Sequence, residues 1–357
     1  MKIALIGPIP PPSGGMAMQT MQLHRLLTER GHTVTLIPVN PPYQPAFMSK
    51  IPVVRALYRL VPYLISLWQG LKNQDVVHLM ANSGWAFHLF ARPAIVIANK
   101  RGVPVLLNYR GGSAQKFFAK SWSHLQASFT NCAMIAVPSG FLADVFQQYQ
   151  TKTQIVPNII DLSIFQYQEP AIDANSLHII VTRNLEPLYD NESAIIAFTQ
   201  LLEEFPQARL TIAGSGHSLN ALQALTEKFN ITERVEFVGR LNRQQIAELY
   251  QQADIMINPS TIDNMPNSIL EAMASGCNVV STNVGGIPYM VEDGKHVLLV
   301  KPNAPNELTE AVRKLVTNSA LANELAENGR QKVIKLTPEQ IMPLLESHYH
   351  QLGKTNA

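Results

Sequence analysis

Charged side chains are scarce in this 357-residue chain. They make up 15% of it, where an average soluble domain carries about 25%. The 28 basic and 26 acidic residues leave a net charge of only +2, so the electrostatic footprint of a nucleic-acid-binding protein is missing. Cysteine is limited to Cys132 and Cys277, too few for a disulfide scaffold, and neither stands in the C-x-x-C spacing of redox and zinc sites. No apolar run approaches the ~20 residues that span a bilayer. The opening run Met1–Gly7 meets Pro8 before it reaches signal-peptide length. No segment repeats with a period of about 20–50 residues. Hydrophobic side chains, in contrast, make up 46% of the chain, which excludes disorder over most of its length. A reduced, intracellular protein is expected. At roughly 150 residues per domain its length predicts two domains.

Short β-branched runs alternate with longer helical patterns almost from end to end. They fall at 2–7, 32–39, 75–80, 103–109, 132–138 and 154–157, then at 177–182, 208–214, 234–239, 254–258, 278–282 and 296–300. Several are nearly continuous apolar segments, the mark of strands buried on both faces of a parallel sheet. Strand–helix alternation of this kind implies right-handed crossovers. About six strands in each half predict an α/β protein of two doubly wound domains. The join is expected in 161–176, where periodicity lapses around Pro170 and Asp173. A last helical stretch, 338–352, follows the final strand and can pack back on the first domain.

Ligands of open parallel sheets sit beyond the carboxyl ends of the strands, so the residues just after each strand matter most. After the first comes a proline loop ending in Gly14-Gly15 at a helix start. Exposed amides there favour an anion, and a stiff loop capped by glycines is the equally open bland reading. The dinucleotide fingerprint G-x-G-x-x-G is absent and no acid closes the second strand, which argues against a dehydrogenase. The segment 47–71 carries Lys50, Arg55 and Arg59 among apolar and aromatic residues. It suits a helix lying on a membrane surface or a buried crossover, and Pro62 is expected to split it in two. After the fourth strand, Arg110 with Gly111 and Gly112 behind it is placed to hold an anionic or hydroxylated ligand, or else to form an ion pair with the neighbouring domain. His78, within an apolar strand, reads as a satisfied core histidine.

In the second half, Arg183-Asn184 follows the first strand directly, and an arginine there suits a diphosphate. Gly214-Ser215-Gly216 follows the next strand and reads by default as a helix start. The richest stretch is 259–276, with Asp263, Asn264, Met265, Pro266, Asn267, Ser268 and Glu271. Asn267 or Ser268 is expected to cap a helix carrying Glu271 in its first turn. Two carboxylates flanking a helix start that attracts phosphate suit a sugar nucleotide. No Asp-x-Asp triplet occurs, so no metal clamp is expected.

In order and spacing, these residues resemble the retaining glycosyltransferases of family 4, of bacterial surface-polysaccharide type, with the two-domain GT-B architecture. The resemblance covers nearly the whole chain. It runs through Ser13-Gly14-Gly15, Val137-Pro138-Ser139, Val156-Pro157-Asn158 with Asp161 and Phe165, Gly214-Ser215-Gly216, and Phe237-Val238-Gly239-Arg240. It ends with the Asp263-to-Glu271 block and Asn283-Val284-Gly285-Gly286-Ile287-Pro288. It implies two Rossmann-like domains facing a central cleft: an acceptor-binding domain at 1–165, a sugar-nucleotide domain at 176–335, and a helix at 336–357 returning to the first.

By the same resemblance, Glu271 is the second acid of the E-x7-E motif and holds the donor ribose. Asp263 takes the first position, where the family has Glu near the transferred sugar. The backbone of 264–267 surrounds sugar and phosphate, and Gly239 and Arg240 border the base. No cofactor is implied beyond the nucleoside-diphosphate-sugar. The implied acceptor is a glycan or lipid-linked molecule, and the implied place is cytoplasmic, peripheral on the inner face of the membrane. Two departures stand out. The family's diphosphate-binding Lys falls where this chain has Leu188, Tyr189 and Asp190, and its His after the fourth strand is replaced by Tyr109-Arg110-Gly111-Gly112. Losing one donor to a developing anion typically costs on the order of 10² to 10³ in rate. Either Arg110 or the Gly14-Gly15 loop compensates, or the protein is slow. A sugar-nucleotide epimerase and a non-catalytic sugar-nucleotide-binding subunit remain the alternatives.

Overall fold

The computed structural model describes residues 1–11, 14–41 and 52–354, without the side chains of 52–58 and 354. The chain divides into two compact units: Met1–Asn158 with Pro338–Ala357, and Ile159–Thr337.

In the first unit, β1 (Lys2–Gly7), β2 (Thr33–Pro38), β3 (Val76–Ala81), β4 (Val105–Tyr109), β5 (Met134–Val137) and β6 (Gln154–Ile155) form one parallel sheet in the order β2-β1-β3-β4-β5-β6. Every residue of β3 and β4 is buried, which explains why both are apolar except for His78 and Asn108, and those two bond to each other. Helices α1 (Gly15–Glu29), α2 (Pro52–Gly70), α3 (Arg92–Lys100), α4 (Ala114–Thr130) and α5 (Gly140–Gln147) supply the crossovers. Phe87, Tyr109, Phe118, Phe129 and Phe146 pack edge-to-face or tilted in the core between them.

Contrary to the expected break, α2 runs unbroken through Pro62. An interior proline costs a helix about 3 kcal/mol. Here the turns after it are held by burial of Tyr63, Leu67 and Leu71 and by the Tyr63 hydroxyl, which donates to Phe90 O at 2.8 Å. Residues 47–51, including Lys50, lie outside the described residues, as does Ser13.

The second unit repeats the plan. Strands β7 (His178–Val181), β8 (Arg209–Ala213), β9 (Val235–Gly239), β10 (Ile255–Asn258), β11 (Asn278–Thr282) and β12 (Leu298–Val300) run parallel in the order β12-β11-β10-β7-β8-β9. They are interleaved with α6 (Asn191–Leu201), α7 (Leu219–Lys228), α8 (Arg243–Gln252), α9 (Asn267–Ser275), α10 (Ile287–Met290), α11 (Pro305–Thr317) and α12 (Ser319–Ile334). The division between units falls at Asn158 and Ile159, ahead of the polar stretch 161–176. The cause is local: Ile160 and Phe165 are buried, the Ile160 N–H donates to Leu336 O at 2.9 Å, and Phe165 meets Tyr250 of α8.

A final helix, α13 (Pro338–Lys354), packs on the first unit. Its Glu346 accepts from Arg30 at 2.7 and 2.8 Å and lies 2.9 Å from His32 Nε2, while its Tyr349 is wholly buried against β3. In each sheet the strand order reverses once, between β1 and β3 and between β7 and β10. At such a reversal the helices leave in opposite directions and open a crevice at the carboxyl edge.

Candidate active site

At the reversal in the second sheet, the chain leaving β7 and the chain leaving β10 start side by side, because those strands pair in parallel. The first carries Thr182 and Arg183; the second carries the loop to α9. Arg183 is held on three sides. Its Nη2 donates to Asp263 Oδ2, its Nη1 donates to Ser268 Oγ at 3.3 Å, and its guanidinium lies 4.3 Å from the Tyr189 ring centre. The side chains of Arg183 and Asp263 are only 12% and 14% exposed, so the ion pair is largely shielded from water. The Asp263 carboxylate also accepts from the Asn264 N–H at 2.9 Å. Arg183 Nε is buried and has no acceptor among the described residues, which leaves a cationic donor unspent at this crevice.

The helix that follows differs from expectation in two respects. Its N-cap is Pro266, extended at φ −66° and ψ 122°, and neither Asn267 nor Ser268 caps it. Proline has no N–H to give to a helix, so the helical bonds start after it and Ser268 Oγ is free to accept from Arg183 instead. Glu271 is consequently the fifth helical residue and stands beyond the first turn.

The Glu271 carboxyl is enclosed, and burial pushes its pKa up to about 7 against the pull of Arg243 and Arg183. The Tyr250 hydroxyl lies 3.5 Å from Glu271 Oε2 and 2.8 Å from Thr182 Oγ1, the residue before Arg183. Tyr250 thus joins the acid of α9 to the arginine strand. Sequence reading missed it because a tyrosine on the inner face of an amphipathic helix looks like core. Arg243, also unforeseen, sits over Phe165 and 3.8 Å from Asp161.

Glycines let these loops close on one another. A Cβ on Gly214 would stand 2.0 Å from Arg183 O, and one on Gly216 would stand 2.1 Å from Leu185 O. The Gly-Ser-Gly turn is therefore dictated by the backbone carrying Arg183. Gly285 and Gly286 do the same for the acid loop, where a Cβ would meet Asp263 O and Asn264 O at 2.0 and 2.1 Å. Along the same carboxyl edge, Arg240 Nε donates to Ser215 Oγ at 2.6 Å, and Gly239 O accepts from the Gly214 N–H at 2.8 Å. Asn184 O takes a hydrogen bond from Asn191 at 3.0 Å. Asn264, Pro266 and Ser268 are buried, while Met265 and Asn267 are partly exposed. The structure thus draws Arg183, Asp263 and Ser268 into direct contact and brings Glu271 near them through Tyr250. Gly239 and Arg240 lie further along the edge.

The remaining expected site residues lie in the first unit. Gly14 precedes α1 as its N-cap with no side-chain cap, and a Cβ on Gly14 or Gly15 would meet nothing within 4 Å. Packing within the described chain therefore does not require those glycines. Arg110 follows β4 and donates to Asn108 Oδ1 at 3.3 Å and to Asn158 Oδ1. Gly111 is fixed by contact, since a Cβ would fall 2.1 Å from Ser83 Oγ; Gly112 is partly exposed. His78 is buried and bonded to Tyr349 and Asn108, and burial drops its pKa to about 3. Among the described residues no group of three or more His, Cys, Asp or Glu is gathered as metal ligands would be, and no helix is long and apolar enough to cross a membrane.

Two family models match the chain in succession. The one described as Glycosyltransferase Family 4 matches residues 13–164, and the one described as Glycosyl transferases group 1 matches residues 164–332. Among curated proteins, the D-inositol 3-phosphate glycosyltransferase of Corynebacterium jeikeium is 27% identical over 230 residues, 62% of this chain. That match spans about half, 53%, of the relative's own length. Among solved structures, a sucrose-phosphate synthase of Thermosynechococcus elongatus superposes with a TM-score of 0.78 at 19% identity over 99% of each chain. The HepE protein of Anabaena, crystallised with UDP, gives 0.76 at 16% identity over 98% of this chain and 100% of its own.

Proposed function

The chain belongs to the family 4 glycosyltransferases and has their GT-B type of fold; from that premise we propose that it moves a sugar from a nucleoside-diphosphate-sugar to an acceptor hydroxyl with retention of anomeric configuration. The observation that carries the reading is Arg183, fixed at the strand-order reversal by Asp263, Ser268 and Tyr189 with a buried Nε left over. Leaving-group departure is the hard step, because negative charge grows on the β-phosphate. A pre-oriented guanidinium out of water stabilises that charge without reorganising. The start of α9 adds amides of the right polarity, and the Gly14 and Gly15 amides are offered as a further phosphate contact. Glu271 takes the ribose hydroxyls, and Arg240 with Gly239 borders the base. The departing phosphate itself accepts the proton of the incoming hydroxyl on the same face of the sugar.

A thermal-shift screen of UDP-, GDP- and ADP-sugars identifies the donor, since a ligand that binds only the folded state raises the melting temperature. The Anabaena neighbour's UDP makes UDP-sugars the first to try. In Glu271→Ala, and in the gentler Glu271→Gln, donor affinity is expected to fall at least tenfold. Unchanged turnover and KM would overturn the assignment. Incubating the donor without acceptor separates transfer from epimerisation: a transferase only hydrolyses the donor slowly, whereas an epimerase alters the sugar.

The acceptor is proposed to be a glycan or lipid-linked molecule met at the inner membrane face. Val61, Ile65 and Trp68, each 52% exposed, form one stripe along α2, and Arg101 lies 4.0 Å over the Trp68 ring. Exposed tryptophan beside a basic group suits the interfacial zone of a bilayer. Sedimentation with vesicles containing anionic phospholipid is expected to carry down the wild type and to lose Trp68→Glu/Ile65→Glu. Equal recovery of both would remove the membrane from the proposal.

A further inference from the structure

Arg101 and Arg330 donate to the backbone carbonyls of Trp68 and Ala274, while Arg30, Arg183, Arg243 and Arg313 each have a carboxylate partner, respectively Glu346, Asp263, Asp161 and Glu204. Arg110 has none among the described residues. Its two side-chain partners are the neutral amide oxygens of Asn108 and Asn158. Burial, with no acid to offset it, lowers the pKa of its guanidinium to about 9. Holding a charge in that state is unfavourable unless an opposite charge arrives.

The surrounding bonds show that the arrangement is built. The Asn108 amide nitrogen can only donate, so His78 Nε2, 3.1 Å away, accepts. The proton of His78 therefore sits on Nδ1, which donates to the Tyr349 hydroxyl at 2.6 Å. This buried chain turns Asn108 so that its carbonyl oxygen faces Arg110. The guanidinium is thus oriented by neutral groups, and none of them neutralises it. The Arg110 backbone is fixed too, because its N–H donates to Ala81 O at 2.9 Å. Arg110 stands at the carboxyl edge of its sheet, one strand from the β1–β3 reversal. Four residues on, α4 begins with no acid in its first turn and no side-chain cap from Ser113, which leaves the positive end of its dipole unopposed.

We infer that Arg110 is a binding site for an anionic group of the acceptor, a phosphate ester or a carboxylate, so that the acceptor is an acidic sugar or sugar phosphate. This rests on the transferase reading and narrows its substrate class. The probes are glucose 6-phosphate, glucuronate and glucose, each titrated calorimetrically into protein saturated with UDP. Wild-type protein binds at least one acidic probe tenfold or more tightly than glucose, and which of them it prefers tells phosphate from carboxylate. Arg110→Gln removes that preference and leaves UDP affinity unchanged; Arg110→Lys, which keeps the charge, retains part of the preference. Melting curves of both variants verify folding. Equal affinity for all three probes in the wild type, or an acidic preference that survives Arg110→Gln, overturns the inference. Loss of UDP affinity in Arg110→Gln overturns it as well, because Arg110 would then serve the donor. Should the protein bind no nucleotide, the transferase reading fails by itself, and the same titrations without UDP still decide whether Arg110 binds acids.

Discussion

Tyr189 occupies part of the stretch where the family places a second cation, and its ring lies 4.3 Å from the Arg183 guanidinium. An aromatic face cannot neutralise a diphosphate, but it can hold the cation proposed to do so. A partly desolvated cation–π contact stabilises by about 1 kcal/mol, which corresponds to roughly fivefold in rate or affinity. Tyr189→Ala is therefore expected to lower donor kcat/KM about fivefold, with the loss in kcat if the ring orients Arg183 for the transition state. Tyr189→Phe keeps the ring and restores the rate, whereas Tyr189→Leu does not. Equal activity of the Leu and Phe variants would reduce Tyr189 to a packing residue. The motif shows that a lysine is missing here, but not that an aromatic ring stands against Arg183 in the same stretch. A stacking contact leaves no spacing signature, because any aromatic in a short turn satisfies it. Tyr250 escaped notice for a related reason, since only the fold brings α8 beside α9 and its hydroxyl to Glu271.

The elements themselves were largely legible. Every apolar run read as a strand is one, within a residue or two, because strands buried on both faces must be apolar throughout. The reading failed where local chemistry competes with packing. Pro62 reads as a break, yet α2 continues through it because residues on its inner face are buried in the core. Asn267 and Ser268 read as caps, yet Pro266 precedes the helix and Ser268 turns to Arg183. Capping preference is worth about 1 kcal/mol, and a charged partner at the site outweighs it. The Gly214-Ser215-Gly216 turn reads by default as a helix start. Its cause is the approach of Arg183 O and Leu185 O, a contact that only the folded neighbour reveals.

Over the whole molecule, the chain's last helix completes its first unit. The return of this helix to the first unit is expected from its place after the last strand; its partners there, Arg30 and His32, are not, because they lie more than 300 positions away along the chain. Arg30 and His32 hold the Glu346 carboxyl down to about 2, the Arg30 hydrogen bond contributing most. A carboxylate depressed on folding stabilises the native state above its unfolded pKa of about 4.3, and that contribution is lost as pH falls toward the folded value. Arg30 is 38% exposed, so solvent screening reduces the gain to on the order of 1 to 2 kcal/mol. The chain's three tryptophans, Trp68, Trp85 and Trp122, all lie in the first unit, so urea melts followed by tryptophan fluorescence report on that unit alone. Glu346→Gln is expected to lower its stability by that amount at pH 7, with the gap between variant and wild type closing between about pH 4.5 and pH 2. A gap that stays constant with pH would mean that α13 is held by its buried Tyr349 and leucine contacts, and that the ion cluster adds nothing.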